Sequence, residues 1–513
     1  MIDRRHFLKS TAAGLAAPGI VAAQSARPAA AQGLQLGDPL GDRLMVWSRS
    51  DMPARMVVEW STDARFANAT RIVGPYALES SDFTARQDLS GLPQGREVFV
   101  RVSFQGLDNE RAIGEPVIGR TRIPAGKPGS IRFLWGGDTA GQGWGINPDF
   151  GGMRIYESMR RREPAFFIHS GDTIYADGPI KETATAEGDQ VWKNIVTPEV
   201  AKVAETLDEF RGRYRYNLLD ANMRRFNAEV PQIWQWDDHE VMNNWSDSKS
   251  VMGDARYTEK NVPLMTARGA RAFLDYAPMR PFQASESQRV YRRFSYGPLL
   301  EVFVLDMRSY RGPNGYNRQE QPGPDTAFLG AEQLAWLQRG LASSKATWKV
   351  VAADMPIGLG VPDGKDAQGR DRWEAVANGN GPVLGREFEF AQLFSFLKRH
   401  KVRNVVWLTA DVHYAAAHYY DPKQAVFRDF DPFWEFVGGP LHAGTFGPNP
   451  LDNTFGPQVV FQKAPAAGQA NLSPLAGMQF FGEVNVDARG LAVDLRDIEG
   501  KSLFRKEIAP QRA

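Results

Sequence analysis

Six short apolar runs in this chain each end at a carboxylate. IRFLWGGD ends at Asp138, AFFIHSGD at Asp172, and IWQWDDHE at Asp237 and Asp238, with His239 and Glu240 following. EVFVLD ends at Asp306, KVVAAD at Asp354, and VVWLTADVH at Asp411 with His413. Runs of about five β-branched and aromatic residues between breakers predict buried strands. Six of them predict a sheet, and the rim at its strand ends is where open α/β folds bind ligands. Asp and His gathered along such a rim predict a metal site. One carboxylate alone would not carry that reading; the repetition does.

The 513 residues are 42% hydrophobic and 24% charged, ordinary values for a globular protein with room for a large core. The formal charge of +1 gives no strong field, so no specific nucleic-acid binding is expected. A phosphorylated substrate remains compatible, because a metal ion supplies local positive charge. The chain has no Cys. Thiolate is thereby excluded as nucleophile or ligand, and any metal must take oxygen and nitrogen donors.

Residues 1–31 read as a leader. Arg4-Arg5-His6-Phe7-Leu8-Lys9 is a twin-arginine pattern, followed by the mild apolar stretch TAAGLAAPGIVAA. That stretch is shorter than the roughly 20 residues a membrane span needs. The twin-arginine export machinery is therefore the expected partner, with periplasmic or secreted localisation and no stable membrane span.

From residue 32 to 124 the texture is all-β, with short runs such as MVWSR, RMVVEWS and EVFVRVSFQG between Gly, Pro, Asp and Asn. This predicts an N-terminal Ig- or fibronectin-like sandwich. PAGKPG marks a linker, and residues 130–513 predict an α/β or α+β catalytic domain in which strands alternate with helices. Helices are expected near 152–162, 198–226, 331–341 and 387–400. The end returns to a β meander in FFGEVNVD, GLAVDLRD and SLFRKEIA.

Three motifs carry chemistry. In Gly171-Asp172-Thr173-Ile174-Tyr175-Ala176-Asp177, glycine lets the backbone approach an ion. Tyr175 can return to the same ion as phenolate if the Lewis acid is strong, since a free phenol has a pKa near 10. A simple turn that caps the next helix is the alternative. Trp236-Asp237-Asp238-His239-Glu240-Val241-Met242-Asn243-Asn244-Trp245 cannot be a plain core strand, because unpaired burial of that charge is prohibitive. Its flanking Trp residues argue against a plain polar surface loop. In Asp411-Val412-His413, two alternating side chains can reach one ion. Arg308, in LDMRSYR, is either a two-pronged phosphate clamp or a salt-bridge partner of a structural Asp such as Asp306. His169 reads as a core histidine, whereas His418 and His442 are expected in rim loops.

With these residues in view, the chain resembles the PhoD-like alkaline phosphatases of the calcineurin-like metallophosphoesterase superfamily. The leader, GDPLGDRLMVWSR, GDTIYAD, DDHEVMNNW, LDMRSYR and TADVH occur in family order. The resemblance implies two packed β-sheets flanked by helices, and a phosphomonoester or phosphodiester hydrolase with Fe³⁺ and Ca²⁺. It implies Asp172 bridging the metals, Tyr175 on the ferric ion, and Asp411 and His413 completing the cluster. Asp238 then falls at the position of a metal-binding Asn. His239 contacts the scissile phosphate or leaving oxygen, and Asn243 holds phosphate or metal. The chain departs from the best-known pattern at its first strand, where Asp138 stands in place of a Cys ligand. That exchange hardens the site and keeps Zn²⁺ and Mn²⁺ open.

Two cations sharing a carboxylate lower the pKa of a bound water and give hydroxide near neutral pH. Attack on phosphorus with His239 protonating the leaving alkoxide follows. The expected substrate is a small phosphate ester or a phospholipid. A phospholipase D-like phosphodiesterase and a noncatalytic phosphate-binding exoprotein are the alternatives.

Overall fold

The structure, a computed structural model, describes residues 26–127 and 129–511. The twin-arginine pair and the apolar stretch after it lie outside the described residues. Two large mixed sheets face each other. A nine-stranded sheet contains the strands Ser130–Gly136, Phe167–Ser170 and Gln232–Gln235 side by side, and a seven-stranded sheet contains Leu300–Val304, Trp348–Ala352 and Val405–Thr409. The six carboxylate-tipped runs thus divide three and three between two sheets, which corrects the expectation of one. Within each trio the strands pair in parallel, so their C-terminal ends meet at a common rim.

Period-2 alternation explains the layering. Phe133, Trp135, Ile168 and Ile233 face Val302, Val304, Val350, Ala352, Val406 and Leu408 in a core between the sheets. The opposite faces carry Leu134, Phe167 and Trp234 on one sheet, and Phe303, Val351 and Trp407 on the other. They pack under helices Arg154–Arg160, Leu207–Asn217, Ala221–Glu229 and Val262–Tyr276, and under Ala331–Ser343 and Glu387–Arg399, respectively. Each fully buried side chain of this kind contributes about 1.5–3 kcal/mol. The helical region expected over 198–226 is two helices. Thr206 and Glu209 form a capping box on the first, and Asp220 accepts the Met223 N–H at the start of the second. Val262–Tyr276 was not foreseen. At the rim the two sheets are pinned by Gln235, whose amide donates to the Leu305 and Ala352 carbonyls at 3.0 Å each.

In the N-terminal region, a four-stranded sheet packs on the strands Leu34–Leu40, Arg43–Arg49 and Thr84–Leu89. Those three strands belong to the nine-stranded sheet, joined to it by the parallel pairing of Gly37 with Gln232. The second layer of this β arrangement is therefore continuous with the main core. The terminal strands Phe480–Asp487, Leu491–Asp497 and Ser502–Ile508 form the expected meander on its far side. Among the described residues no helix is long and apolar enough to cross a membrane.

Candidate metal centre

Where the two trios of strands end, carboxylates and imidazoles converge in three overlapping groups, each with donor atoms within 4.8 Å of one another. They are Asp138–Asp172–His413, Asp172–Asp238–His239 and Asp237–Asp238–Asp411. The turns that aim them are tight. Asp138, Asp172, Asp411 and His413 have φ of 64°, 50°, 66° and 61°, a left-handed conformation that costs non-glycine residues about 1 kcal/mol or more each. Gly171 has φ 96°, and a Cβ there would lie 2.4 Å from Cβ of Asp237, so only glycine lets the turns at Asp172 and Asp237 touch. Glu240 straps these turns together, accepting from Thr173 N–H at 2.6 Å and Asp237 N–H at 2.7 Å.

The electrostatics are those of excess buried negative charge. Burial, reinforced by neighbouring carboxylates, pushes Asp138, Asp172 and Asp411 well above the usual carboxyl range. Both carboxylate oxygens of Asp138, Oδ2 of Asp237, Oδ1 of Asp238 and Oδ1 of Asp354 are buried without a hydrogen-bond partner. Burial and Asp172 likewise push Tyr175 well above an ordinary phenol. Its hydroxyl lies 2.9 Å from Nε2 of His413. Burial lowers His413 to about 4, so its ring is neutral. Nδ1–H donates to the Gly444 carbonyl, which turns the Nε2 lone pair toward Tyr175 and Asp138, whose Oδ1 is 4.0 Å away. A carbonyl behind an imidazole is how metal-binding histidines are oriented. Orphaned hard oxygens, a shared Asp172 and an oriented imidazole fit a pair of hard or borderline cations.

His239 differs from His413. Although burial opposes its charge, Asp177 and Asp238 raise it to about 10. Its Nδ1 lies 2.6 Å from Asp177 Oδ1. Asp177, whose other oxygen accepts the Asn243 N–H at 2.9 Å, is held at about 2, its burial outweighed by His239. Nε2 of His239 is therefore the nitrogen left to move a proton. The Asp177 role was missed although Asp177 closes the GDTIYAD motif, because its partner is 62 residues away.

Arg308 is fully buried, and its guanidinium is committed to Asp237, Asp354 at 3.2 Å and Glu374. Nη2 also approaches Asp411 at 3.6 Å. The expected salt bridge to an Asp therefore forms, but with Asp237 and Asp354 rather than Asp306, whose carboxylate accepts from the Trp236 indole at 3.1 Å and the Arg308 and Ser309 backbones. Glu374 was missed, since it follows a short hairpin rather than a long apolar run. Asn243 is exposed, and it is engaged through its backbone N–H on Asp177. His169 is a core residue, 2.8 Å from Thr139. His418 sits inside the strand Ala415–Tyr420, paired with Glu435 at 3.1 Å, rather than in a rim loop. His442 lies in the loop after Gly439, 3.1 Å from the Gly145 carbonyl.

The two facing mixed sheets with helices outside are a fold shared with two solved structures. A solved structure of PhoD matches with a TM-score of 0.68 at 20% identity, covering 95% of this chain and 93% of that one. Purple acid phosphatase PPD1 from yellow lupin (Lupinus luteus) seeds matches with a TM-score of 0.55 at 12% identity, over 94% and 74% of the chains. Residues 133–496 match the family described as PhoD-like phosphatase, and residues 14–125 match its N-terminal domain. The chain belongs to the PhoD-like phosphatase family and is a phosphatase. It is similar to alkaline phosphatase D of Bacillus subtilis (strain 168), 27% identical over 444 residues, which cover 81% of this chain and 70% of that protein.

Proposed function

We propose that this phosphatase is a metal-dependent hydrolase of small phosphate esters, exported by the leader of residues 1–31 that carries Arg4-Arg5. The observation that carries the reading is the set of overlapping donor groups whose buried oxygens lack partners. Asp138, Tyr175 and His413, with Asp172 shared, offer mixed donors that suit Fe³⁺. Asp172, Asp238 and Asp411 offer oxygen only, which suits a hard cation such as Ca²⁺. Cations held there would act as Lewis acids and lower the pKa of water. The protein's own residues do the rest. Asp177 orients His239 and keeps it protonated, so that Nε2 can hand its proton to the departing oxygen. Asn243, exposed beside Asp177, is placed to meet the phosphate. Arg308 acts here by balancing the charge of Asp237, Asp354 and Glu374, since no face of its guanidinium reaches solvent. Residues 32–124 serve as a supporting domain and 130–513 as the catalytic one.

The test measures bound metals by elemental analysis together with turnover of p-nitrophenyl phosphate and bis-p-nitrophenyl phosphate. Two metals per chain, lost with activity in Asp172→Asn, are expected. Full turnover by metal-free protein would overturn the reading, and the ratio of the two rates separates monoesterase from diesterase.

A further inference from the structure

Tyr175 sits between two walls of different kinds. On one side its ring lies against His239, with centroids 4.4 Å apart and planes at 38°. On the other is Gly141. A Cβ built at that position would fall 2.2 Å from Cδ2 and 2.3 Å from Cγ of the Tyr175 ring, whereas non-bonded carbons settle at about 3.5–4 Å. Backbone conformation is not what demands glycine here. Gly141 lies outside the left-handed region, unlike Gly143, which has φ 94° and whose added Cβ would meet nothing within 4 Å.

Neither wall retreats easily. The loop that carries Gly141 is tied along its length. Thr139 N–H donates to the Asp172 carbonyl at 2.9 Å. Asn471 donates to the Gln142 carbonyl at 3.1 Å, and Asn194 donates to that of Gly143 at 3.0 Å. Asn194 also accepts from the Gly145 N–H, and Tyr216 from that of Ile146, both at 2.8 Å. On the other side, Asp177 holds His239. A methyl group at 141 must therefore push the phenol ring, whose oxygen lies 2.9 Å from His413 Nε2.

We propose that Gly141 is a positioning residue for Tyr175: its bare Cα is the wall that sets the tilt of the ring, and thereby where the phenolic oxygen points relative to Asp138, Asp172 and His413. The consequence for iron rests on the ferric reading above; the steric contact does not.

Two measurements on the full chain separate them. In thermal melts, Gly141→Ala should lower the midpoint by roughly 3 °C or more, and the same change in a Tyr175→Ala background should cost less than half as much. Equal losses in both backgrounds overturn the proposal. If Gly141→Ala alone does not fold, recovery of folding in the double variant supports it and failure of both overturns it. On titration with Fe³⁺, the wild type should develop a visible phenolate–iron absorption. Gly141→Ala should bind about 10-fold more weakly with a displaced band, while Gly143→Ala, which strains the loop without touching the ring, keeps the band position. An unchanged band and affinity in Gly141→Ala overturn the proposal. A wild type with no band sinks the ferric assignment instead, and the melts then decide the steric claim.

Discussion

Asp82 in the N-terminal region and Asp138 at the rim are both buried aspartates in left-handed turns, with φ of 52° and 64°, yet their surroundings are opposite. Asp82 is bonded to Arg49 at 2.8 Å, Arg215 at 2.6 Å and the Tyr276 hydroxyl at 2.5 Å. Burial opposes its charge, but these partners hold it below the usual carboxyl range. Asp138 has no partner for either oxygen, and burial with Asp237 pushes it up. A carboxylate that only supports the fold is neutralised by protein cations and can be left alone; one that serves a ligand is left short of positive charge. Arg308 shows the intermediate case, one guanidinium serving Asp237, Asp354 and Glu374 behind the carboxylates that remain unmatched.

The contrast can be broken most decisively at the shared ligand. On the proposed function, in which cations held there activate water, Asp172→Asn should lower turnover by about 10³-fold or more; assays beside metal analysis check it, and near-normal turnover would erase the distinction between the two kinds of aspartate. Arg308→Met comes next. Removing a cation bonded to three buried carboxylates should destabilise the protein by about 3–5 kcal/mol, read from urea melts. Added divalent cation should then rescue part of the loss in Arg308→Met. His239→Ala should retain bound metal while kcat falls by about 10²-fold, and its alkaline activity limb, set in the wild type by His239 losing its proton, should disappear from the pH–rate profile. Loading the wild type with cation at 100 times Kd should add about 2.7 kcal/mol of stability, whereas Asp82→Asn should leave that increment unchanged.

The smallest effect concerns pH and two groups outside the metal centre. Burial with Asp452 pushes Glu387 up to about 8. A raised carboxyl stabilises the fold fully below its ordinary pKa, and that contribution is lost as pH rises toward 8. Asp82, held low, contributes above its ordinary value near 3.9 and loses that contribution as the solution becomes more acidic. Glu387→Gln should therefore flatten the melting-temperature profile between about pH 5 and 8, and Asp82→Asn should flatten the acid arm. Identical profiles would show that the partners around these carboxylates do not govern their ionisation.

Much of the rim is readable along the chain, because strand endings are local. Five β-branched and aromatic residues followed by Asp is a pattern confined to one stretch, and it located Asp138, Asp172, Asp238 and Asp411, all of which the fold brings together. Asp306 carries the same pattern but turns behind the site to receive the Trp236 indole; nothing within EVFVLD distinguishes it. Asp177 and Glu374 are invisible for a related reason, since their partners His239 and Arg308 lie 62 and 66 residues away.

Local alternation and breakers are enough to specify strands, their buried faces and the acids at their tips, because each depends on neighbours within a few residues. Division of six strands between two sheets, the commitment of Arg308 to three carboxylates and the pressing of Gly141 against Tyr175 depend on which distant surfaces pack together. Those are contacts made through space, so only the folded chain could assign them.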